Sequence, residues 1–406
     1  MTEHLSTAHE CRMFLPVRPA TPDATFSMTP LRNCIAEMIA FKPHVVLSGE
    51  DVGALRLRTY LPKTLFVHTR HGLASKGTTY RSVRAADFAC VSSAFMRDWY
   101  VAANAVPRQE FWIVGYPQMD ALFDVSAPVL TFDLPKGNQT LLYAPTFQSS
   151  LSSAPLLGDR AVELLRGAQA NLNIVIKPHP LIGDLFPEWL AVWKRLAATE
   201  RNVYLVEDTH ADVMPFLKAA DVLVTDVSSV SLEYLALDRP MVLITSPRID
   251  DEGYVDKNGL EWRWRDMGEE IFDVNHLPQA VARALEHPDH GAARRQFYRS
   301  LLFGELADGN TSLRLAEHVN ALARTRRRQH KWRWQPQSAI PRWPWSTQER
   351  EYVHGEPTSN FPASGERSTT RRWQRSTDGP TAKGIPEIAG QHAGRARSPS
   401  GHPLLQ

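Results

Sequence analysis

Residues 222–237 read VLVTDVSSVSLEYLAL: an apolar run, the polar turn TDVSS at 225–229, and then a helical pattern. The same order recurs upstream, where TLLYAPTF at 140–147 and NIVIKPHP at 173–180 each begin apolar and end in a polar turn. Amphipathic stretches of about 10 residues separate these runs, which predicts right-handed βαβ crossovers. The second half of the chain is therefore predicted to form a doubly wound parallel sheet.

The polar turns carry side chains that suit a phosphate. In open α/β sheets, ligands bind in the crevice beyond the carboxyl ends of the strands. Here those ends carry Lys177, His179 and the pair Ser228-Ser229. An ammonium group, an imidazole and two hydroxyls at one sheet edge predict an anion site.

Each of these turns also has a plainer interpretation. A lone histidine is more often a solvated turn residue than a functional one, although Pro178 and Pro180 stiffen the loop that holds His179. Serine at a helix start is first of all an N-cap. A cap accounts for one serine and not for Asp226 followed by Ser228 and Ser229, and helix N-termini attract anions.

The first half shows a second set of strands. HVVLS at 44–48, TLFVH at 64–68, FACV at 88–91 and FWIV at 111–114 are short apolar runs. His71-Gly72 lies just past the second of them. Glycine permits close approach of the backbone to a ligand, and histidine accepts a proton near neutral pH. An ordinary turn residue is an equally open interpretation of His71, but a histidine on each half favours a reaction across a cleft.

Composition limits the class of protein. A chain of 406 residues that is 43% hydrophobic is long enough for two cores. The segment 127–139 is punctuated by Pro and Gly, so we expect domains at 1–127 and 139–325, followed by a disordered tail at 326–406.

Three cysteines without a CxxC pair favour a reducing, cytoplasmic compartment. The start lacks the apolar core of a signal peptide, and we expect any membrane contact to be peripheral.

The tail is strongly basic. Residues 324–406 hold 15 Lys/Arg against 6 Asp/Glu, a net charge of +9. Since the whole chain has a net charge of +2, the remainder carries about −7. TRRRQHKWRW at 325–334 interleaves cations with tryptophan, which suits an anionic membrane surface. The alternatives are that the tail has no partner or that it binds a single-stranded nucleic acid. We place the membrane ahead of both and expect no nucleic-acid partner.

Several cofactor signatures are missing from the sequence. It contains no GxxxxGK[ST], no GxGxxG after the first strand, no HExxH and no Cys/His cluster. These motifs bind nucleotide phosphates, dinucleotides or metal ions, so we expect neither a bound metal nor an organic cofactor.

The motifs together resemble those of the CDP-glycerol glycerophosphotransferase family, which includes teichoic-acid primases and polymerases. The resemblance is carried by His71-Gly72 with Lys76, the YAPT motif at 143–146, the KPHP motif at 177–180, the block from Val224 to Pro240, and Asp308–Arg314. Two positions depart from the family pattern: Arg70 stands where tryptophan is usual, and Leu73-Ala74-Ser75 replaces Thr-Pro-Leu.

This resemblance implies a GT-B fold, in which two Rossmann-like domains face each other across a cleft and the last helix returns to the first domain. It also implies transfer of a polyol phosphate from a CDP-linked donor to a hydroxyl of a lipid-linked or polymeric acceptor in the cell envelope, with release of CMP. His71 would be the general base, and His179 would contact the donor pyrophosphate. The other expected donor-binding residues are Lys177, Thr225, Asp226, Ser228, Ser229, Gly72 and Thr146.

Two other classes remain open from the sequence. Another GT-B enzyme of nucleotide sugars, either a glycosyltransferase or a UDP-sugar 2-epimerase, would share the HP and SS motifs. A catalytically degenerate GT-B module would only bind a nucleotide or a partner, but such a copy has no reason to retain both His71 and His179.

Overall fold

The computed structural model describes residues 5, 9–14, 27–29, 31–49, 57–70, 72–73, 75, 80–123, 130, 132–247 and 257–329. All of these belong to one compact unit that runs from Met1 to Lys331. His71, Lys76 and residues 330–406 lie outside the described residues, as does most of the segment 124–131.

The described strands are all short. They are β1 (Arg12–Phe14), β2 (Ser27–Thr29), β3 (Val45–Ser48), β4 (Leu65–His68), β5 (Phe88–Val91), β6 (Glu110–Ile113), β7 (Thr140–Ala144), β8 (Asn173–Ile176), β9 (Val203–Leu205), β10 (Val222–Thr225), β11 (Met241–Ile244) and β12 (Glu269–Ile271).

The described α-helices vary more in length. They are α1 (Leu31–Phe41), α2 (Tyr80–Ala85), α3 (Ala94–Ala102), α4 (Asp120–Phe123), α5 (Ala154–Leu157), α6 (Ala161–Arg166), α7 (Ile182–Leu185), α8 (Pro187–Thr199), α9 (Met214–Ala219), α10 (Val230–Tyr234), α11 (Leu260–Arg263), α12 (Leu277–Glu286), α13 (Ala292–Phe303) and α14 (Thr311–Gln329). No described helix is long and apolar enough to cross a membrane.

The larger sheet has six parallel strands in the order β9-β8-β7-β10-β11-β12. Counted from β7, this is the order 3-2-1-4-5-6 of a dinucleotide-binding α/β sheet. The direction of winding reverses between β7 and β10. A crevice opens at the carboxyl ends of these two strands, which is where such sheets bind their ligands.

Both faces of this sheet are buried. Leu141 and Tyr143 of β7 pack into one apolar cluster, whereas Leu142 and Ala144 pack into another on the opposite face. A strand covered on both sides needs apolar residues at every position, which accounts for the continuous apolar runs seen in the sequence. The predicted strand cores therefore agree with the structure to within one residue at each end.

The smaller sheet has four parallel strands in the order β3-β4-β5-β6. Helix α14 packs against it, with Leu315, Ala316 and Val319 in the same apolar cluster as Val67 and Trp112. The last helix thus returns to the first sheet, and the predicted α/β class is confirmed. The domain limits 1–127 and 139–325 remain a prediction.

The start of α14, within the Asp308–Arg314 motif, is capped by a residue that is distant in the sequence. The carboxylate of Asp120, at the start of α4, accepts hydrogen bonds from the backbone N–H of Thr311 at 3.0 Å and of Ser312 at 2.7 Å. Asp308 instead forms a bidentate ion pair with Arg314 at 2.8 Å. The cap is supplied by a residue from the first half of the chain.

Several helix ends and two elements also differ from the sequence prediction. The helix expected over 160–170 ends at Arg166, since Gly167 adopts φ +52°. The helix expected over 211–219 begins at Met214, whose N–H is accepted by Asp212 at 3.1 Å. Helix α14 reaches Gln329, so residues 326–329 are not part of a tail. Strand β12 and helix α11 were not predicted.

Candidate active site

Asp226 directly follows β10 and is buried where the carboxyl ends of β7 and β10 lie side by side. Its carboxylate accepts hydrogen bonds from the backbone N–H groups of Thr146 and Ser153, each at 2.9 Å, and from the Ser153 hydroxyl at 3.0 Å. Burial raises the pKa of Asp226, and these hydrogen bonds act in the opposite direction. Asp226 therefore joins the loop after β10 to the loop after β7.

Thr225 makes a second connection between the same loops. It is fully buried, and its hydroxyl donates to the carbonyl of Ala144 at 2.6 Å. Because Thr225 and Asp226 have no exposed surface, the geometry favours a positioning role for both. Their predicted part in donor binding remains a prediction. Thr146 is also buried and takes part through its backbone N–H.

The two serines that follow are placed differently from each other. Ser228 is 8% exposed, and its hydroxyl accepts a long hydrogen bond of 3.4 Å from the N–H of Val230. Ser229 is half-buried and, although it stands at the N-cap position of α10, its side chain makes no capping bond. The capping interpretation therefore does not account for the Ser229 hydroxyl.

The helix after these serines is shorter than predicted. A helix was expected over 230–237, but α10 ends at Tyr234 and a 3₁₀ turn covers Leu235–Leu237. A five-residue helix has only a small aligned dipole. Hydroxyl and N–H groups of the loop must then contribute more to anion binding than the helix field does.

Lys177 holds the KPHP loop in place. Its ammonium group donates to the carbonyl of Pro178 at 2.9 Å and to that of Thr209 at 2.8 Å. Burial lowers the pKa of Lys177 to about 8, while Asp208 and Asp212 favour its charged form. Two of its three N–H groups thus bind backbone carbonyls, one of them next to His179. The positive charge of Lys177 is buried beside the KPHP loop.

The imidazole of His179 has a defined tautomer. Its Nδ1 accepts a hydrogen bond of 3.2 Å from the N–H of Leu181, and its ring packs on Phe147 with the ring centroids 4.6 Å apart. A nitrogen that accepts carries no proton, so the proton of the neutral ring is on Nε2. His179 is therefore built as an Nε2–H donor, which suits contact with a phosphate oxygen.

The turn after β4 meets the second half of the chain at Gly72. A methyl group built on Gly72 would lie 3.5 Å from the Ser229 hydroxyl and 3.4 Å from Oε1 of Glu233. His71 itself lies outside the described residues, and its predicted role remains a prediction. The structure nevertheless brings the residue next to it against the TDVSS loop.

Glu233 belongs to the block from Val224 to Pro240 that carries the family resemblance, but the sequence analysis gave it no role. It is 3% exposed and accepts a hydrogen bond of 3.3 Å from the N–H of Leu73. Burial raises the pKa of Glu233 to about 8, with further upward contributions from Asp212 and Glu261 and downward ones from the Leu73 hydrogen bond and Arg70. Its spacing of four residues from Ser229 was the available signal, because such residues share a helix face.

The fold and the position of the candidate site together indicate the class of protein. Two parallel α/β layers with candidate residues where they meet are the architecture of GT-B enzymes. The wall teichoic acid polymerase TagF has the same fold, with a TM-score of 0.59 and 15% identity over 80% of this chain and 84% of that one. A structure of TagF soaked with CDPG gives a TM-score of 0.54, covering 76% of this chain and 79% of that one.

The family follows from the sequence. Residues 63–321 match the CDP-glycerol:poly(glycerophosphate) glycerophosphotransferases, and the chain belongs to this family. The teichoic acid glycerol-phosphate primase of Bacillus subtilis is 21% identical over 239 residues, 58% of each chain. The ribitol-phosphate polymerase TarK of Staphylococcus aureus is 25% identical over 178 residues, 41% of this chain and 33% of TarK. The chain thus spans little more than half the length of the primase.

Proposed function

We propose that this protein transfers a polyol phosphate, with glycerol phosphate as the first candidate, from a CDP-linked donor to a hydroxyl acceptor in teichoic-acid or similar cell-envelope polymer synthesis. The closeness of Gly72 to Ser229 and Glu233, which would lie 3.5 and 3.4 Å from a methyl group built on this glycine, carries this proposal. It supports a site in which the segment next to His71 faces the loop that we propose to bind the donor.

In this reaction the acceptor oxygen attacks the distal phosphorus of the donor pyrophosphate. A new P–O bond forms to the acceptor, the bridging P–O bond breaks, and CMP leaves with the bonding electrons. His71 takes the proton of the acceptor hydroxyl as general base, a role for which an ordinary histidine pKa is suited. Transfer of this kind depends on positioning and on neutralising charge more than on covalent catalysis.

The donor side of the proposal rests on the second half of the chain. His179 donates from Nε2 to a pyrophosphate oxygen and stabilises the CMP that leaves. Ser228 and Ser229 hydrogen-bond phosphate oxygens, while Lys177 contributes positive charge and holds the loop. Thr225, Asp226 and Thr146 act by keeping the two loops together.

We also propose that the protein works in the cytoplasm, on the inner face of the membrane. The tail, residues 330–406, would bind anionic lipid through its cations and tryptophans and keep the enzyme near a lipid-linked acceptor. Support for this comes from the charge of the sequence alone, since the tail lies outside the described residues.

A panel of donors tests the proposed reaction. The protein is incubated with CDP-glycerol, CDP-ribitol and UDP-N-acetylglucosamine in the presence of a polyol-phosphate acceptor, and released CMP and UDP are measured. We expect CMP release from a CDP-alditol and none of UDP from the sugar nucleotide. Turnover of the UDP-sugar with no CMP release would replace this proposal by a nucleotide-sugar enzyme.

A further inference from the structure

A short segment at residues 260–265 contacts both loops of the candidate site. It consists of α11 and the first residue of the 3₁₀ turn Arg265–Met267 that follows. Glu261 and Arg265 are four residues apart and are 0% and 7% exposed. Two buried charged side chains on one turn need partners, because an uncompensated buried charge is strongly unfavourable.

Glu261 finds its partner in the first half of the chain. The backbone N–H of Ser75 donates to Oε1 of Glu261 at 3.1 Å, and the Ser75 hydroxyl donates to Oε2 at 2.7 Å. The same hydroxyl accepts a hydrogen bond from the N–H of Leu260, at the start of α11. Ser75 is fully buried and lies three residues after Gly72, so these contacts hold the chain close to Gly72.

Arg265 finds its partners around the TDVSS loop. Its guanidinium group donates to the backbone carbonyl of Asp226 at 2.9 Å, to Glu270 at 3.0 Å and to the hydroxyl of Thr245 at 3.0 Å. All three partners use the planar fork of arginine, which lysine cannot reproduce. Arg265 thus anchors the backbone two residues before Ser228.

From these contacts we infer that Glu261 and Arg265 are positioning residues, Glu261 for the segment that contains Ser75 and Arg265 for the Ser228-Ser229 loop. The inference rests on the proposed function, since it assigns the two loops to the acceptor and the donor. Because a displacement of about 1 Å in a reacting group can cost roughly 10²-fold in rate, one segment that fixes both loops sets their relative position for transfer.

The first test concerns Glu261. In E261A, which lacks both acceptor oxygens, we expect kcat for CMP release to fall about 10- to 100-fold while the donor KM stays within about threefold. E261Q keeps one acceptor oxygen and should recover part of the loss. The exposed Glu286 offers a matched control, and E286Q should behave as the wild type.

The second test concerns Arg265. R265K keeps the charge but loses the fork, and we expect its donor KM to rise about tenfold with a smaller change in kcat. R201K, at an exposed position, is the matched control. A loss of stability alone would leave the donor KM of R265K unchanged. In E261A it would lower the apparent kcat, so kcat is expressed per folded enzyme, with the folded fraction measured by circular dichroism.

Hydrogen exchange separates the failure of this inference from that of the proposed function. Exchange should rise in the peptide that contains residues 72–75 for E261A, and in the peptide that contains 226–229 for R265K. If no CDP-alditol yields CMP with the wild type, the proposed function fails, and the exchange pattern still tests the positioning. Unchanged or uniformly raised exchange in both variants, or wild-type kinetics in both, would overturn the inference.

Discussion

The two halves of the candidate site are held in place in different ways. The loops of the second half are fixed by contacts within that half: Asp226 binds the N–H groups of Thr146 and Ser153, and Lys177 binds the carbonyls of Pro178 and Thr209. The turn after β4 is instead held by Glu233 and Glu261, which come from the other half. The loops proposed to bind the donor are therefore fixed within one half, whereas the segment proposed to face the acceptor depends on the contact between the halves.

The largest effect should come from the first half. We expect H71A to lower kcat about 10²- to 10⁴-fold, because the variant lacks the base that takes the acceptor proton. Single-turnover CMP release measures this directly. An H71A protein with wild-type turnover would show that the first half contributes no catalytic group at this position.

The next effect should come from the second half. Removal of one preorganised hydrogen-bond donor to a developing charge costs about 10²- to 10³-fold, and we expect a loss of this size in H179A. The half-buried side chain contributes little to packing, so circular dichroism should show an intact fold. H179Q, which keeps a side-chain N–H donor, is the matched variant, and equal activity of H179A and the wild type would reject the donor contact.

Glu233, which lies at the contact between the halves, should make the stability of the fold depend on pH. Because burial raises the pKa of Glu233 to about 8, the folded protein binds a proton there that the unfolded chain has released above about pH 4.5. The contribution of Glu233 to stability is therefore fully present at low pH, falls as pH rises from about 4.5 to 8, and is constant above that range. Asp212, Glu261 and Arg70 act on the same carboxyl.

The variant E233Q mimics the protonated form and isolates this effect. We expect wild-type stability to decrease between pH 5.5 and 8 relative to E233Q, by a difference on the order of a few kcal/mol. Urea unfolding of both proteins at the two pH values gives the comparison. Parallel pH profiles for the two proteins would mean that Glu233 is ionised throughout.

The smallest effect on chemistry is expected from the tail. A truncation that ends at Gln329 keeps α14 whole and removes the cations and tryptophans beyond it. It should lose salt-sensitive binding to vesicles that contain phosphatidylserine, yet release CMP from soluble donor at the wild-type rate. Equal sedimentation of the truncated and full-length proteins with these vesicles would show that the tail does not bind the membrane.

The sequence predicted most strands of the larger sheet and the polar loops that follow them well. Strands β7, β8, β10 and β11 are buried on both faces, so their apolar runs end close to where hydrogen bonding ends. β12 was missed since Glu269 and Glu270 occupy two of its three positions at the sheet edge, and only Ile271 is buried. Helix α11 has four residues, too few for a periodic pattern.

The contacts that complete the site were beyond sequence reasoning for a different reason. Ser75 and Glu261 are 186 residues apart. Ser75 stands where the chain departs from the family pattern, and Glu261 belongs to no recognised motif. Their pairing depends on how the two halves pack. In the same way, the burial of Thr225 and Asp226, which favours a positioning role for both, follows from the neighbouring strand ends and not from the TDVSS motif itself.

Donor binding to H71A and S229A, measured side by side by calorimetry with CDP-glycerol, tests most directly whether the two halves form one site with divided roles. In S229A a methyl group replaces the half-buried hydroxyl of Ser229, which caps no helix, so the fold should be unchanged. We predict that H71A binds the donor as the wild type does, whereas S229A binds it about tenfold more weakly. Normal binding by S229A together with lost binding by H71A would reverse the roles and contradict the account.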